Sequence, residues 1–481
     1  MRIAALDPQP GLIKQLNCAR LPVHCLIEGA TCPIAGLNCK EGSMLNTIRN
    51  ITWALAATFT LITVSAAADE LVRVAPEQQG MSSERLRRLD DLAAKYVAEG
   101  QVAGIQLQVN RGGQLVYSSS VGHRSVAARQ ALETDDLFRI YSMTKPITAV
   151  AVMQLYEAGH FHLSDPITKW LPELEALQVR LPDGQLVPVN RSPTMAELLT
   201  HTAGFSYGFY PKDPIDQAYR EAGLWGSEDL DAFVLKVAKL PLAFQPGKDW
   251  RYSIAVDLTG LIIERMSGQS LDVFFKQSLF EPLGMTDTFF EVPADKRHRL
   301  VTNHYWDWSQ NQLAEVAGTV PTLGIESEED AMSGFDRVTL FTGGAGLVST
   351  MRDYMRFAEM LRAGGVLDDV RVIGPKTLKF MTKNHLPKSL ASTGSGEDPI
   401  QNRFKSFGFG LGFGVMMDPV GSGVLSSRGS FSWGGAAGTI FWIDPVEDIA
   451  AVAMIQLMGS PWPLRNDFAL GVYQALTESY E

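Results

Sequence analysis

The chain has 481 residues, 46% of them hydrophobic and 20% charged, with a formal net charge of −11. That composition excludes a disordered or fibrous protein and supplies ample apolar side chains for a core. The 43 glycines and 25 prolines follow no short period, which excludes a collagen-like repeat.

All four cysteines, Cys18, Cys25, Cys32 and Cys39, lie near the beginning of the chain. Neither a disulfide framework nor a cysteine nucleophile therefore serves the remainder. Their even spacing lacks the close CxxC pairs of common zinc sites. Residues 44–68 follow with Arg49, an apolar run over 51–64 and the small-residue pattern Ala66-x-Ala68, the parts of a secretory signal peptide. The apolar run is shorter than the ~20 residues of a spanning helix; an uncleaved anchor is the alternative. The expectation is an exported protein, periplasmic or secreted, with no stable membrane insertion after signal cleavage. Residues 1–43 read as an upstream, non-native extension before a start at Met44. Segment 1–68 carries five basic and three acidic residues, which leaves 69–481 at −13. That is a poor surface for nucleic acid or anionic lipid.

A helix is predicted from Ser82-Ser83-Glu84, where a capping serine precedes Leu86, Leu89, Leu92 and Ala93 at helical spacing. VAGIQLQVN and QLVYSSSVG then flank Arg111-Gly112-Gly113, a hairpin signal. The middle is helical in pattern, with TAVAVMQLYEAG, TMAELLTHTAG, LDAFVLKVAKL and LTGLIIERMSG. Strand-like runs return in FGFGLGFGVMM, FSWGGAAGTIFWI and IAAVAMIQLM, and the amphipathic LRNDFALGVYQAL closes the chain. The polar stretches 306–337 and 388–403 read as surface loops. This order predicts an α+β fold, one antiparallel sheet completed by both ends of 69–481, with an all-helical insertion. The α/β part is expected over about 75–141 and 340–481, and the mainly helical part over about 142–339.

Ser142-Met143-Thr144-Lys145 is the leading chemical candidate. An S-x-x-K tetrapeptide is weak alone, but Pro146 is tolerated only in a helix's first turn, which puts Ser142 at a helix N-terminus. Ser142 and Lys145, three apart, then share a face. A serine hydroxyl needs an adjacent base, and an ammonium in apolar surroundings gives up its proton more readily. The plainer reading is a capping serine and a surface lysine. Tyr252, after the turn Pro246-Gly247-Lys248, would carry protons beside that lysine or serve as a core tyrosine. Trp433-Gly434-Gly435-Ala436 places paired glycines in a strand, which marks a close backbone approach or a bulge.

Gly204-Phe205-Ser206-Tyr207-Gly208 fits the G-x-S-x-G nucleophile elbow, but a helical pattern precedes it where the elbow requires a strand. Gly204 there reads as a helix cap, and Ser206 is set aside. His160, His162 and His201 form no metal motif, and Lys405 and Arg428 read as solvated charges.

Ser142, Tyr252 and Trp433-Gly434-Gly435, in this order and at these separations, resemble the serine β-lactamase and penicillin-binding-protein superfamily. Supporting phrases include YSMTKPITAVAVMQLYEAG, ELLTHTAGF, PGKDWRYS, FEPLGMTDTFF and GGAGLVSTMRDYMRF, and the resemblance spans about 75–478. It is strongest to the class C β-lactamase-like branch and, within it, to the family VIII carboxylesterases. The resemblance implies a β-lactamase/transpeptidase-like fold with no metal or cofactor. It implies Ser142 as the acylated serine, Lys145 as the group that takes or relays its proton, and Tyr252 as the proton donor to the leaving group. The backbone amides of Ser142 and Ala436 would form the oxyanion hole.

Two departures bear on substrate. Ile254 stands where β-lactamases have asparagine, and Trp433-Gly434-Gly435 stands where they have Lys-Thr-Gly. Ile254, Trp433, Gly434 and Gly435 would thus bind substrate through apolar groups, which favours uncharged esters over anionic β-lactams. The expectation is a serine hydrolase acting on small ester or lactam molecules. The alternatives are a β-lactamase or D-alanyl carboxypeptidase, or a penicillin-recognising or cell-wall-binding protein that acylates without turnover.

Overall fold

Early and late segments of the described residues enter one antiparallel sheet, and local signals explain how. The computed structural model describes residues 72–316, 337–387, 390 and 406–480; the cysteines, the segment 44–68 and Lys405 lie outside them. Ser82 is the N-cap of helix α1 (Ser83–Ala98) and accepts from the Arg85 amide at 3.2 Å. The helix buries Leu86, Leu89, Ala93 and Tyr96 along one stripe. Strands β1 (Gly104–Arg111) and β2 (Gln114–Ser125) are joined by Gly112 and Gly113, with φ of 61° and 77°. Two consecutive left-handed residues give a hairpin turn whose twist matches the strands, and glycine adopts it without strain.

After β3 (Gln130–Ala131) the chain leaves the sheet through helix α2 (Thr144–Glu157). It then builds a helical region from Met195–Leu199, Pro214–Glu221, Leu230–Val237 and α3 (Ala255–Ser267). Helix α4 (Met351–Arg362) leads back to β4 (Phe407–Phe409), β5 (Gly414–Met416), β6 (Phe431–Gly434), β7 (Ile440–Asp444) and β8 (Ile449–Ile455), followed by α5 (Leu464–Tyr473). The strand order is β4-β5-β6-β7-β8-β1-β2-β3, antiparallel throughout, with Ile105 opposite Ile455 and Arg111 opposite Ile449. No helix among the described residues is long and apolar enough to cross a membrane.

Alternation along β8 separates two cores. Ile449, Ala451, Ala453 and Ile455 face one way, into a cluster with Leu89 of α1 and Phe468 of α5. Ala450, Val452 and Met454 join the main core with Tyr354 and Phe357 of α4. A strand buried on both faces reads as a continuous apolar run, which is what IAAVAMI is. Arg111 ties the segments around Gln79 and Glu478 to this sheet. Its buried guanidinium donates to the carbonyls of Gln79, Gly80, Glu447 and Glu478 at 2.9–3.0 Å and to the Glu447 carboxylate at 2.8 Å. Stranding one member of such a buried pair costs about 3–5 kcal/mol.

The loop expected over 306–337 is corrected in its first part. His304–Asp307 and Gln312–Glu315 form a hairpin, and Leu457–Met458 pairs with His304 and Tyr305 in parallel. Trp306 packs edge-on against Trp462 at 5.2 Å, a long-range contact that the polar composition conceals.

Candidate active site

Residues Tyr141–Met143 make one 3-10 turn that runs directly into α2. Every residue of α2 from Thr144 to Met153 is buried. A helix apolar on all sides belongs in the interior, so its N-terminus opens at the floor of the site rather than into bulk solvent. Tyr141 has a left-handed φ of 43°, unusual for a side chain with a β-carbon, and is held by burial and by an Asn303 amide donating to its hydroxyl at 2.8 Å. Lys145 is 1% exposed. Its Nζ donates to the Gly344 carbonyl at 2.7 Å and lies 3.2 Å from the Tyr207 hydroxyl and 3.3 Å from Ser142 Oγ.

Tyr252 sits in the extended segment before α3. Lys145 Nζ lies over its ring, 4.7 Å from the centroid. Around that ring are Tyr207 at 5.4 Å, His201 at 4.8 Å and Trp433 at 5.5 Å. The Tyr252 hydroxyl is buried with no hydrogen-bond partner among the described residues. Buried phenols ordinarily find partners, so this one is available to a group entering the site. His201 is held neutral: burial pushes its imidazole well below the ordinary range, and Lys145 adds to the effect.

Strand β6 brings Trp433 to this box and then turns back at Gly435. A β-carbon on Gly435 would lie 2.4 Å from the Ile140 carbonyl oxygen and 2.2 Å from Thr439 Oγ1. Glycine is thus what lets the strand end close on the backbone two residues before Ser142. Arg465 Nη2 donates to the Gly435 and Thr439 carbonyls at 2.6 and 3.1 Å, from behind the strand. The amides of Met143 and Gly435 are paired within their turns, whereas those of Ser142 and Ala436 bond to none of the described residues. Ala436 is exposed.

The structure therefore brings Ser142, Lys145, Tyr252 and Trp433 together, with Gly434, Gly435 and Ala436 continuing the same strand end. Ile254 is a correction. Its side chain is fully buried in the main core and presents no surface to a substrate. The reason is local: Ile254 is the N-cap residue of α3, and its amide donates inward to the Ser206 carbonyl at 3.2 Å. Ser206 itself is buried, bonded to Asp216 and accepting from Arg251 Nε at 2.8 Å, within an ion cluster where Arg251 pairs with Asp213 and Asp216 at 2.7 and 2.6 Å. Arg428 is exposed. No cluster of three or more His, Cys, Asp or Glu residues among those described is arranged to hold a metal.

Three contributors escape the sequence reading: Tyr207, Asp257 and Gly344. The Tyr207 hydroxyl donates to Asp257 Oδ2 at 3.2 Å, and the Gly344 amide donates to Asp257 Oδ1 at 2.9 Å. Burial raises the Asp257 carboxyl above its ordinary range, opposed by Lys145 and the Gly344 amide. Burial and the Asp257 charge hold Tyr207 protonated, well above the ordinary phenol range.

Comparison with known proteins agrees with this architecture. The pattern of the Beta-lactamase family matches residues 89–475. Protein Rv1367c of Mycobacterium tuberculosis is 34% identical over 364 residues, covering 74% of this chain and 86% of the relative. Esterase EstB of Burkholderia gladioli is 31% identical over 367 residues, with the same coverage of each. The solved structure described as EstCE1, a hydrolase with promiscuous acyltransferase activity, superposes with a TM-score of 0.68 at 24% identity, over 82% of this chain and 99% of that one. At that identity the likeness speaks to the fold. The chain belongs to the β-lactamase family and is a serine hydrolase of that superfamily.

Proposed function

We propose that the protein hydrolyses uncharged carboxylic esters through an acyl-enzyme on Ser142. The observation that carries this reading is the 3.3 Å contact between Lys145 Nζ and Ser142 Oγ, with the amine nitrogen held against the rings of Tyr207 and Tyr252 at 4.9 and 4.7 Å. In the proposed step, Ser142 Oγ bonds to the ester carbonyl carbon while its proton passes to Lys145 Nζ. The carbonyl electron pair moves onto oxygen, which the amides of Ser142 and Ala436 receive. The bond to the alcohol oxygen breaks as the Tyr252 hydroxyl supplies a proton, which Lys145 replaces. Water then attacks the acyl-enzyme along the same route and releases the acid. By the resemblance, Trp433 replaces the lysine of the β-lactamase pattern, and Arg465 is engaged with the Gly435 and Thr439 carbonyls. Both features favour neutral substrates. That EstB is an esterase supports the same reading.

A panel of p-nitrophenyl butyrate, nitrocefin and a D-alanyl-D-alanine peptide, with intact-mass detection of the trapped adduct, tests it. Ester turnover with an acyl adduct on Ser142 is expected. Faster nitrocefin or peptide cleavage would replace the ester reading, and a stable penicillin adduct without turnover would make the protein a penicillin-recognising one.

Tyr252→Phe gives a further check. A p-nitrophenolate leaves without protonation, whereas an alkyl alkoxide does not. The variant is expected to lose about 100-fold on ethyl butyrate and much less on p-nitrophenyl butyrate. Equal losses on the two esters would remove the tyrosine from the leaving-group step.

A further inference from the structure

We infer that Asp257 and Tyr207 form a positioning pair that fixes which way the Lys145 lone pair points. This rests on the reading of Lys145 as the base. A neutral lysine amine has two N–H bonds and one lone pair. Among the described residues, Lys145 Nζ has three polar neighbours: the Gly344 carbonyl at 2.7 Å, the Tyr207 hydroxyl at 3.2 Å and Ser142 Oγ at 3.3 Å. The carbonyl can only accept, so it takes one N–H. The second direction depends on Tyr207, whose hydroxyl can accept or donate.

Asp257 decides it. Two donors face its two oxygens, the Gly344 amide on Oδ1 and the Tyr207 hydroxyl on Oδ2. With its hydrogen directed to Asp257, Tyr207 offers Lys145 an oxygen lone pair and takes the second N–H. The amine lone pair is then left to Ser142 alone. The paired glycines of GGAGL are what permit this. A β-carbon on Gly344 would lie 2.4–2.7 Å from the Asp257 carboxylate, and one on Gly343 would lie 2.8 Å from the Val256 carbonyl. The same peptide stretch thus bonds Asp257 through its amide and Lys145 through its carbonyl.

The test is Asp257→Asn with and without Tyr207→Phe. In the asparagine variant the side-chain oxygen keeps the Gly344 amide, and the NH2 group faces the Tyr207 oxygen and donates to it. The Tyr207 hydrogen then turns toward Lys145 and captures the lone pair meant for Ser142. Turnover number on p-nitrophenyl butyrate is expected to fall at least ~30-fold with KM within about threefold, since general-base loss costs about 10²–10⁴. Phenylalanine at 207 removes that hydrogen, so the double variant is expected to recover to within about fivefold of wild type. A merely structural or electrostatic role for Asp257 predicts no such recovery. A single variant within threefold of wild type, or a double variant no faster than the single, overturns the inference. Because asparagine is isosteric, the single variant must also fold with a native near-UV circular dichroism spectrum, and loss of that spectrum overturns it equally. Wild-type turnover in Lys145→Ala would instead sink the reading beneath it.

Discussion

Ser142→Ala is expected to lower ester turnover by about 10⁴-fold or more, while Ser206→Ala leaves it within about threefold. Both serines lie in sequences that match nucleophile motifs, and the difference between them is physical. Ser142 meets a buried amine at 3.3 Å, at the end of a helix whose dipole favours the developing oxyanion. Ser206 meets Asp216 and the Arg251 guanidinium, neither of which can take its proton while holding the other in an ion pair. Its loss should appear in stability instead. Removing a hydroxyl from a buried, charged cluster costs about 1–3 kcal/mol, so Ser206→Ala is expected to melt at a lower temperature with its kinetics intact. Steady-state kinetics and thermal melts on both variants separate the two effects. Full turnover in Ser142→Ala would transfer the nucleophile's role.

What could be read from the sequence was what local chemistry decides. The paired glycines after Arg111 announce the hairpin, the capping serine announces α1, and Pro146 places Ser142 at the start of α2. The i, i+3 spacing then puts Lys145 beside it. What could not be read depends on contacts between distant segments. Tyr207 lies 62 residues from Lys145 and sits inside a motif whose more visible member is Ser206. Asp257 is an acidic residue in a helix's first turn, where a carboxylate ordinarily answers the helix dipole and needs no partner. Its partner, Gly344, is 87 residues away. Ile254 follows Tyr252 closely enough to look like part of the pocket wall, yet the start of α3 turns it inward.

Lys145→Ala is expected to cost about 10³-fold in turnover number, with little change in KM, because the base acts on the reacting proton rather than on the bound ester. The alanine variant alone leaves a rival account open. A fixed positive charge near Ser142 would also stabilise an oxyanion, and its removal would be costly too. Lys145→Arg separates the two. Guanidinium keeps the charge and can donate to Gly344 and Tyr207, but it does not deprotonate in proteins and so cannot accept the serine proton. If the lysine works as a base, arginine is expected to be nearly as inactive as alanine, and neither variant should accumulate an acyl adduct on Ser142 in intact-mass spectra. If it works as a charge, arginine recovers much of the rate. The two outcomes differ by about two orders of magnitude, well beyond the roughly threefold that a small misplacement of the longer side chain would blur. Substantial activity in Lys145→Arg would therefore end the proton-transfer role while leaving Ser142 as the nucleophile.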